Sequence, residues 1–181
     1  ILAMGFTFIL GLGEIDLSVG AILGLNGVIM AKLMVEMNWS IPAAILVAVV
    51  AGLVFGVVNA TIISLLDIPP FIVTLATQSL FRGAVYIITG MVPIAGLPDS
   101  FVNIGQGYVG RVPIPVIIML VVIVISYILA NYSTCGRHVI AMGGNADATR
   151  ACGINTKQVR LGVYMLSGVC ATISAVITTA R

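Results

Sequence analysis

The run Gly11-Leu12-Gly13-Glu14-Ile15-Asp16-Leu17-Ser18-Val19-Gly20 sets two carboxylates and a hydroxyl between apolar stretches. An ionised acid at the centre of a bilayer costs on the order of 3 kcal/mol, so each needs a partner, a water-filled cavity or a capping role. Asp16 or Ser18 is placed to cap a helix that starts here, accepting hydrogen bonds from its first free amides at the positive end of the helix dipole. The expectation is a broken helix, because backbone breaks survive at membrane depth only where protein or water surrounds them. The other role open to the same groups is contact with a transported solute.

Arg82 is the second costly residue, midway along the otherwise uncharged stretch Pro70 to Thr89 and too far from either end to snorkel. It is expected to face a bundle interior and pair with Asp16 or Glu14, either as a fixed ion pair or as part of a conduction path. Thr74, Thr77, Gln78, Tyr86 and Thr89 recur at intervals of three and four around it and fall on one stripe, with Val73, Ala76, Leu80, Gly83 and Ile87 opposite. Hydroxyls, an amide and an aromatic ring suit a hydroxyl-rich solute. They also serve as hydrogen bonds between helices.

The stretch Ser133 to Arg160 carries Arg137, Arg150, Lys157 and Arg160, half of all the basic residues, against the single acid Asp147. By the positive-inside bias it is cytoplasmic. Within it Asn145 is a good helix N-cap and Gly153 stands where a left-handed C-cap belongs, leaving room for about two helical turns. So short a helix is marginal alone, because nucleation is costly and few bonds offset it. Two placements follow: docked on another protein, or lying on the headgroups through its basic residues.

Catalytic and metal sites are not expected. His138 is the only histidine, and Cys135, Cys152 and Cys170 lack metal-ligand spacing and read as unpaired thiols. Gly143-Gly144-Asn145 has no Gly-Lys-Ser/Thr ending, and Gly11-Leu12-Gly13 lacks a third glycine and a preceding strand, so the chain is expected to bind no nucleotide itself.

The elements that position these residues belong to a membrane. Of the 181 residues 60% are hydrophobic and 8% charged, with a mean hydropathy of +1.21, where a soluble domain carries about 25% charged residues. A net charge of +2 argues against a nucleic-acid binder. Crossing about 30 Å of hydrocarbon takes about 20 apolar residues. Ile41 to Leu66, Val112 to Tyr132 and Leu161 to Ala180 qualify without a charge, and Leu17 to Val35 with Lys32 and Pro70 to Thr89 with Arg82 complete five spans. Ile1 to Gly13 reads as the end of a helix begun earlier, so the chain is expected to be truncated at both ends, with no cleavable signal peptide. Gly90 to Arg111 is an outer loop, as is Glu36 to Ser40, and Asp67 to Pro69 lies inside. The pairs Gly20/Gly24 and Gly52/Gly56 predict close helix packing. The fold class is therefore all-α: a single polytopic helical bundle over residues 1–181, with residues 133–160 as its cytoplasmic loop.

Taken together, Glu14-Ile15-Asp16-Leu17-Ser18-Val19-Gly20, Pro70-Phe71-Ile72-Val73-Thr74-Leu75 with Arg82-Gly83, Gly136-Arg137-His138-Val139-Ile140-Ala141-Met142-Gly143-Gly144-Asn145 with Ala148 and Gly153-Ile154, and the late Tyr164, Ser167-Gly168 and Ala180-Arg181 resemble the permease subunits of ribose, xylose, arabinose and galactose ABC importers. The resemblance runs over nearly the whole chain and implies a bacterial inner-membrane permease that works as a dimer of permease copies. It would accept a monosaccharide from a periplasmic binding protein and alternate its access as cytoplasmic ATPase subunits close on ATP and magnesium. Gly136, Arg137, Gly143, Gly144, Asn145, Ala148, Gly153 and Ile154 would then supply an ATPase-coupling helix. Asp16, Ser18, Thr74, Gln78, Arg82 and Tyr86 would form the pathway or an intramembrane network. Glu14 departs from the family, which more often has glycine there, and offers Arg82 an alternative partner. A different class, an ion-coupled secondary transporter, would use Asp16 for ion coupling and need no ATPase.

Overall fold

A computed structural model describes residues Ile1–Arg181. In hydrocarbon every backbone N–H and C=O must be satisfied within its own segment, and helices are the way an apolar run does so. The long apolar runs accordingly form α3 (Ile41–Leu66), α4 (Pro70–Thr89), α6 (Ile114–Tyr132) and α9 (Thr156–Thr179), each long and apolar enough to cross a membrane. A fifth, α2 (Val19–Val35), has 17 residues, and at 1.5 Å per residue it is about 26 Å long. Prolines open α3, α4 and α6, where a missing N–H has no bond to lose. The remaining helices are α1 (Leu2–Gly11), α5 (Asp99–Gln106), α7 (Thr134–Gly144) and α8 (Ala146–Ala151), with a minimal antiparallel hairpin of β1 (Tyr108–Val109) and β2 (Val112–Pro113).

The axis of the bundle is α9, whose apolar stretch is 56% buried against 6% for α6, so α9 is central and α6 peripheral. It packs on α1, α2 and α3. The α3–α9 crossing rests on glycine: Gly168 meets the Gly52 carbonyl, and Gly56 meets the Tyr164 carbonyl. Close backbone approach of this kind lets helices associate where no hydrophobic force separates protein from lipid. Gly20 and Gly24, expected to do the same, have nothing within 4 Å of where a Cβ would sit. Their helix turns its other face, with Ile22, Leu25, Asn26 and Met30, to the core.

The two ends of the bundle differ. At one, the α2 and α4 termini meet through Lys32 Nζ and Ile88 O at 3.0 Å, and Gln106 Nε2 donates to Arg181 O at 2.7 Å. The segment Gly90 to Arg111 at this end is not the plain loop expected, since it folds into α5 and half of the hairpin. Phe101, fully buried among Met30, Met34 and Ala180, drives this. At the other end, Phe8, Ile9 and Leu12 of α1 and its exit pack with Val139 and Met142 of α7 and with Tyr164.

The region expected as one loop with a single short helix holds two helices. Residues Gly136, Arg137 and His138 lie inside α7, which is opened by Ser133 accepting from Gly136 N at 3.2 Å. Likewise α9 begins at Thr156 rather than Leu161, because Asn155 caps it by accepting from Gln158 N at 3.2 Å. Lys157 and Arg160 are therefore helix residues and not loop residues.

Candidate functional site

Between α1 and α2 the chain reverses in seven residues whose polar groups are almost entirely enclosed. Gly13 sits at φ +75°, a left-handed conformation that costs glycine little and other residues more. Asp16 Oδ1 accepts from the Ser18 N–H at 2.7 Å and from its hydroxyl at 2.6 Å. The Ser18 oxygen in turn accepts from Asn59 Nδ2 of α3 at 2.8 Å. The Leu17 N–H donates to Thr74 Oγ1 of α4 at 3.2 Å, while the Thr74 hydroxyl bonds Pro70 O at 2.9 Å. All four side chains are buried, Asp16 at 2% exposure. The expected capping of the first-turn amides of α2 by Asp16 or Ser18 does not occur: Asp16 instead ties down the Ser18 amide just before the helix. The carboxylate still lies at the positive end of the α2 dipole.

Glu14 has a different partner from the one its sequence position suggested. Its Oε1 is 2.7 Å from Arg160 Nε, and Arg160 Nη1 donates to Ser64 Oγ at 3.2 Å. Glu14 is 8% exposed, and its Oε2 has no protein partner. One helical turn along α9 the Tyr164 hydroxyl is also buried without a partner. A buried ion pair contributes little net stability, whereas removing one partner strands the other charge.

Arg82 pairs with neither Asp16 nor Glu14 and forms no ion pair. The reason is the packing face of α4. Val73, Thr74, Thr77 and Phe81 turn inward, with the Phe81 and Phe55 rings 4.7 Å apart. That rotation puts Arg82 on the outer surface with Tyr86, which is 50% exposed, and leaves Gln78 half-buried. The expected polar stripe thus divides along its drift around the helix: Thr74 and Thr77 are buried, Thr74 beside the Asp16–Ser18 turn, while Gln78 is half-buried and Arg82 and Tyr86 are exposed. Val73, expected on the lipid side, is in the core.

Beside the buried turn stands an exposed one. Asn145 Oδ1 accepts from Ala148 N at 2.9 Å, closing the start of α8, and Gly153 at φ +83° ends its exit. Of this six-residue helix only Thr149 is buried, anchored by its hydroxyl to Asn145 O at 2.8 Å. Among the other expected coupling residues, Gly136 and Gly143 make close backbone approaches, to Ala130 O and to Gly11 O. Arg137, Gly144, Ala148 and Gly153 are exposed, and Ile154 is half-buried. The Gly143–Gly11 contact joins α7 to the end of α1, immediately before Glu14.

Sequence reasoning passed over Arg160, Ser64, Asn59 and the pair Asn26 and Thr172, whose Nδ2 and Oγ1 are 2.7 Å apart. Asn26, Asn59 and Ser64 did carry a signal, as lone polar groups in apolar spans that need a protein partner. Arg160 carried none, having been read as a loop cation.

The whole chain, residues 1–181, matches the family described as branched-chain amino acid transport system permease component. It is 37% identical over 181 residues to the D-allose transport system permease protein AlsC of Escherichia coli, covering all of this chain and 56% of that protein. It is 35% identical over 185 residues to the ribose import permease protein RbsC of Haemophilus influenzae, covering all of this chain and 57% of that protein. To the inner membrane ABC transporter permease protein YjfF of E. coli it is 34% identical over 181 residues, 98% of this chain and 55% of that protein. The chain spans about half the length of these relatives. No solved structure matches.

Proposed function

We propose a transport role from one premise: the chain belongs to the family of branched-chain amino acid transport system permease components. It is a multi-pass helical membrane protein and no enzyme. Its proposed task is to carry a monosaccharide across the bacterial inner membrane as the permease subunit of an ATP-driven importer. The relatives' names, an allose and a ribose permease, support a sugar as cargo. ATP and magnesium belong to a separate cytoplasmic ATPase. A periplasmic binding protein delivers the sugar, and a second permease copy completes the path.

The observation that carries this reading is α8. It is a six-residue helix, fixed at both ends by Asn145 and Gly153, with almost all of its surface free. Isolated helices of this length do not persist in water, so a rigid, exposed one is suited to lie in a groove of another protein. Its end of the bundle holds Arg137, Arg150, Lys157 and Arg160, against Lys32, Arg111 and Arg181 at the other, a bias that supports placing it on the cytoplasmic side. An ATPase pressing on α8 would move α7 and the start of α9, between which the buried turn is held.

In the same reading Gln78, Arg82 and Tyr86 face the pathway shared with the second copy. A cation and a phenol on the outer flank of a spanning helix are costly against acyl chains and well matched to water and sugar hydroxyls. The Asp16, Ser18, Thr74 and Asn59 group, enclosed and mutually bonded, holds α2 in register beside that path.

The test is uptake of labelled ribose and allose into proteoliposomes holding the full-length chain with its ATPase subunits and binding protein. Uptake that needs internal ATP and is lost when α8 is deleted is expected. Uptake that survives ATP depletion and stops with an ion gradient would instead support a secondary transporter.

A further inference from the structure

The buried turn between α1 and α2 encloses more negative charge than positive. Glu14 and Asp16 are 8% and 2% exposed, and the one cation beside them, Arg160, is committed to Glu14 at 2.7 Å, with its Nη1 on Ser64. Of the cations on the surrounding helices, Arg82, Arg137 and Lys157 are exposed and Lys32 pairs with Glu36 at the far end of α2. Helices α1 and α3 have none. The other groups that face Asp16 carry no charge. They are the Tyr164 hydroxyl of α9, which lies near both carboxyl groups, Ser18, Asn59 of α3 and Thr74 of α4, while α7 meets the turn with the Gly143 backbone. A charge enclosed without a partner is among the costliest arrangements in a fold, and a titratable group escapes it by taking a proton.

We infer that Asp16 is a proton-binding site: at neutral pH it is held as the uncharged acid, with Ser18 on Oδ1 and the proton on Oδ2. Three features carry this. First, both donors to Asp16, the Ser18 N–H at 2.7 Å and the Ser18 hydroxyl at 2.6 Å, go to the same oxygen, as they would to the carbonyl of an acid, whose two lone pairs take both. Secondly, the cluster is short of donors. Glu14 Oε2 and Asn59 Oδ1 can only accept, and neither has a partner. The Tyr164 hydroxyl stands beside Glu14. Asn59 is tied at 2.8 Å to the same Ser18 oxygen as Asp16, so a proton on Oδ2 adds a donor on the group neighbouring the second orphan. Thirdly, the five cavities of about 220–480 Å³ lie elsewhere, and none is lined by Glu14, Asp16, Asn59 or Tyr164, whereas a proton needs no space. Burial pushes the Asp16 carboxyl above the usual carboxylate range and outweighs the Ser18 bonds, which lower it, and the Glu14 charge adds to the rise. The positive end of the α2 dipole also favours the charged form, but only as a fraction of one charge.

The proton is then a ligand of the fold. It lets the root of α2 lie dry against α3 and α4, and its loss at alkaline pH puts a second carboxylate charge into that seam beside Glu14. Glu14 itself, paired with Arg160, keeps its charge. The site stands on the charges of the turn and not on the transport reading, so the failure of either leaves the other untouched.

Asp16→Asn tests it, because an amide reproduces a neutral acid: its oxygen accepts from Ser18 and its NH2 stands where the acid O–H would. The purified full-length chain in detergent is followed by infrared spectroscopy and by reversible unfolding. At pH 7 the parent-minus-variant spectrum should show the carbonyl stretch of a protonated carboxyl, shifted in heavy water, and the variant should unfold within about 2 °C of the parent. The folded chain keeps a proton that an unfolded aspartate releases above about pH 4. The parent's folding constant should therefore fall relative to the variant's, by up to about tenfold for each pH unit above that, until the buried acid ionises. An ionised Asp16 gives the opposite: no such band, and an Asp16→Asn chain that loses stability or fails to accumulate. Either result would overturn the site. So would a band that persists in Asp16→Asn and disappears in Glu14→Gln, because the proton would then sit on Glu14.

Discussion

A methyl group placed at the glycine crossing of α3 and α9 is the sharpest structural perturbation available. In Gly168→Ala the new Cβ would overlap the Gly52 carbonyl oxygen and come within 2.9 Å of its carbon. Against an ordinary carbon–carbon contact of about 3.5 Å the shortfall is about 0.6 Å, and neither partner is a side chain that can rotate away. The helices must part. Overpacking of this kind costs about 1–3 kcal/mol. Parting also strains Thr172, whose hydroxyl lies 2.8 Å from Gly168 O and 3.4 Å from Ala48 O and accepts from Asn26 at 2.7 Å. One such bond in a membrane bundle is worth about 0.6 kcal/mol. Alanine's better helix propensity returns about 0.5–1 kcal/mol, leaving a net loss of about 1–3 kcal/mol. Reversible unfolding of the detergent-solubilised chain measures it, with Gly20→Ala and Gly24→Ala as controls. These have empty space where the methyl would go and should be neutral or slightly stabilising. A Gly168→Ala chain within about 0.5 kcal/mol of the parent, or controls that lose as much as it does, would refute the crossing.

Gly153→Val forces a β-branched residue to φ +83°, a strain of about 1–3 kcal/mol. Membrane insertion should persist while sugar uptake per ATP hydrolysed falls, and wild-type stoichiometry would contradict the role of this turn. Arg160→Ala leaves the Glu14 carboxylate buried and unpaired and should cost about 3 kcal/mol in the same unfolding assay. Adding Glu14→Gln to it should recover part of the loss, and a fully additive double mutant would show that the two do not interact. Arg82→Ala removes an exposed, unpaired cation and should change stability by no more than about 0.5 kcal/mol while lowering uptake. Adding Asp16→Ala should rescue neither property, and a rescue would restore the pairing that the geometry disfavours.

The spans were legible because a charge-free apolar run of 20 residues or so has few folds open to it. Their ends were less so, since Asn155 capping α9 and Ser133 opening α7 are single polar residues in a segment that reads as loop. The outer helix α5 was hidden by the glycines and prolines of the segment around it, and the burial of Phe101 is what anchors it. Spacing of four does not separate Gly52/Gly56 from Gly20/Gly24, because the deciding fact is which face meets α9. The cost of an intramembrane charge rightly said that Glu14 needs a partner, but it does not name one. Arg82 drew that assignment by its depth, whereas the partner is 146 residues away in sequence, on the first turns of a helix the sequence did not start there. Asn145 and Gly153, in contrast, acted through local chemistry, and both stand where that chemistry placed them.

The native thiols offer a direct probe of the end on which the whole account turns. Cys152 is exposed at the close of α8, Cys170 is buried and Cys135 is half-buried. With Cys135→Ser in the full-length chain, a membrane-impermeant maleimide should label Cys152 in inside-out vesicles but not in right-side-out ones, and bound ATPase subunits should block the reaction. Labelling from the outer face, or labelling that the ATPase does not affect, would contradict the assignment of α8 as the cytoplasmic contact through which transport is driven.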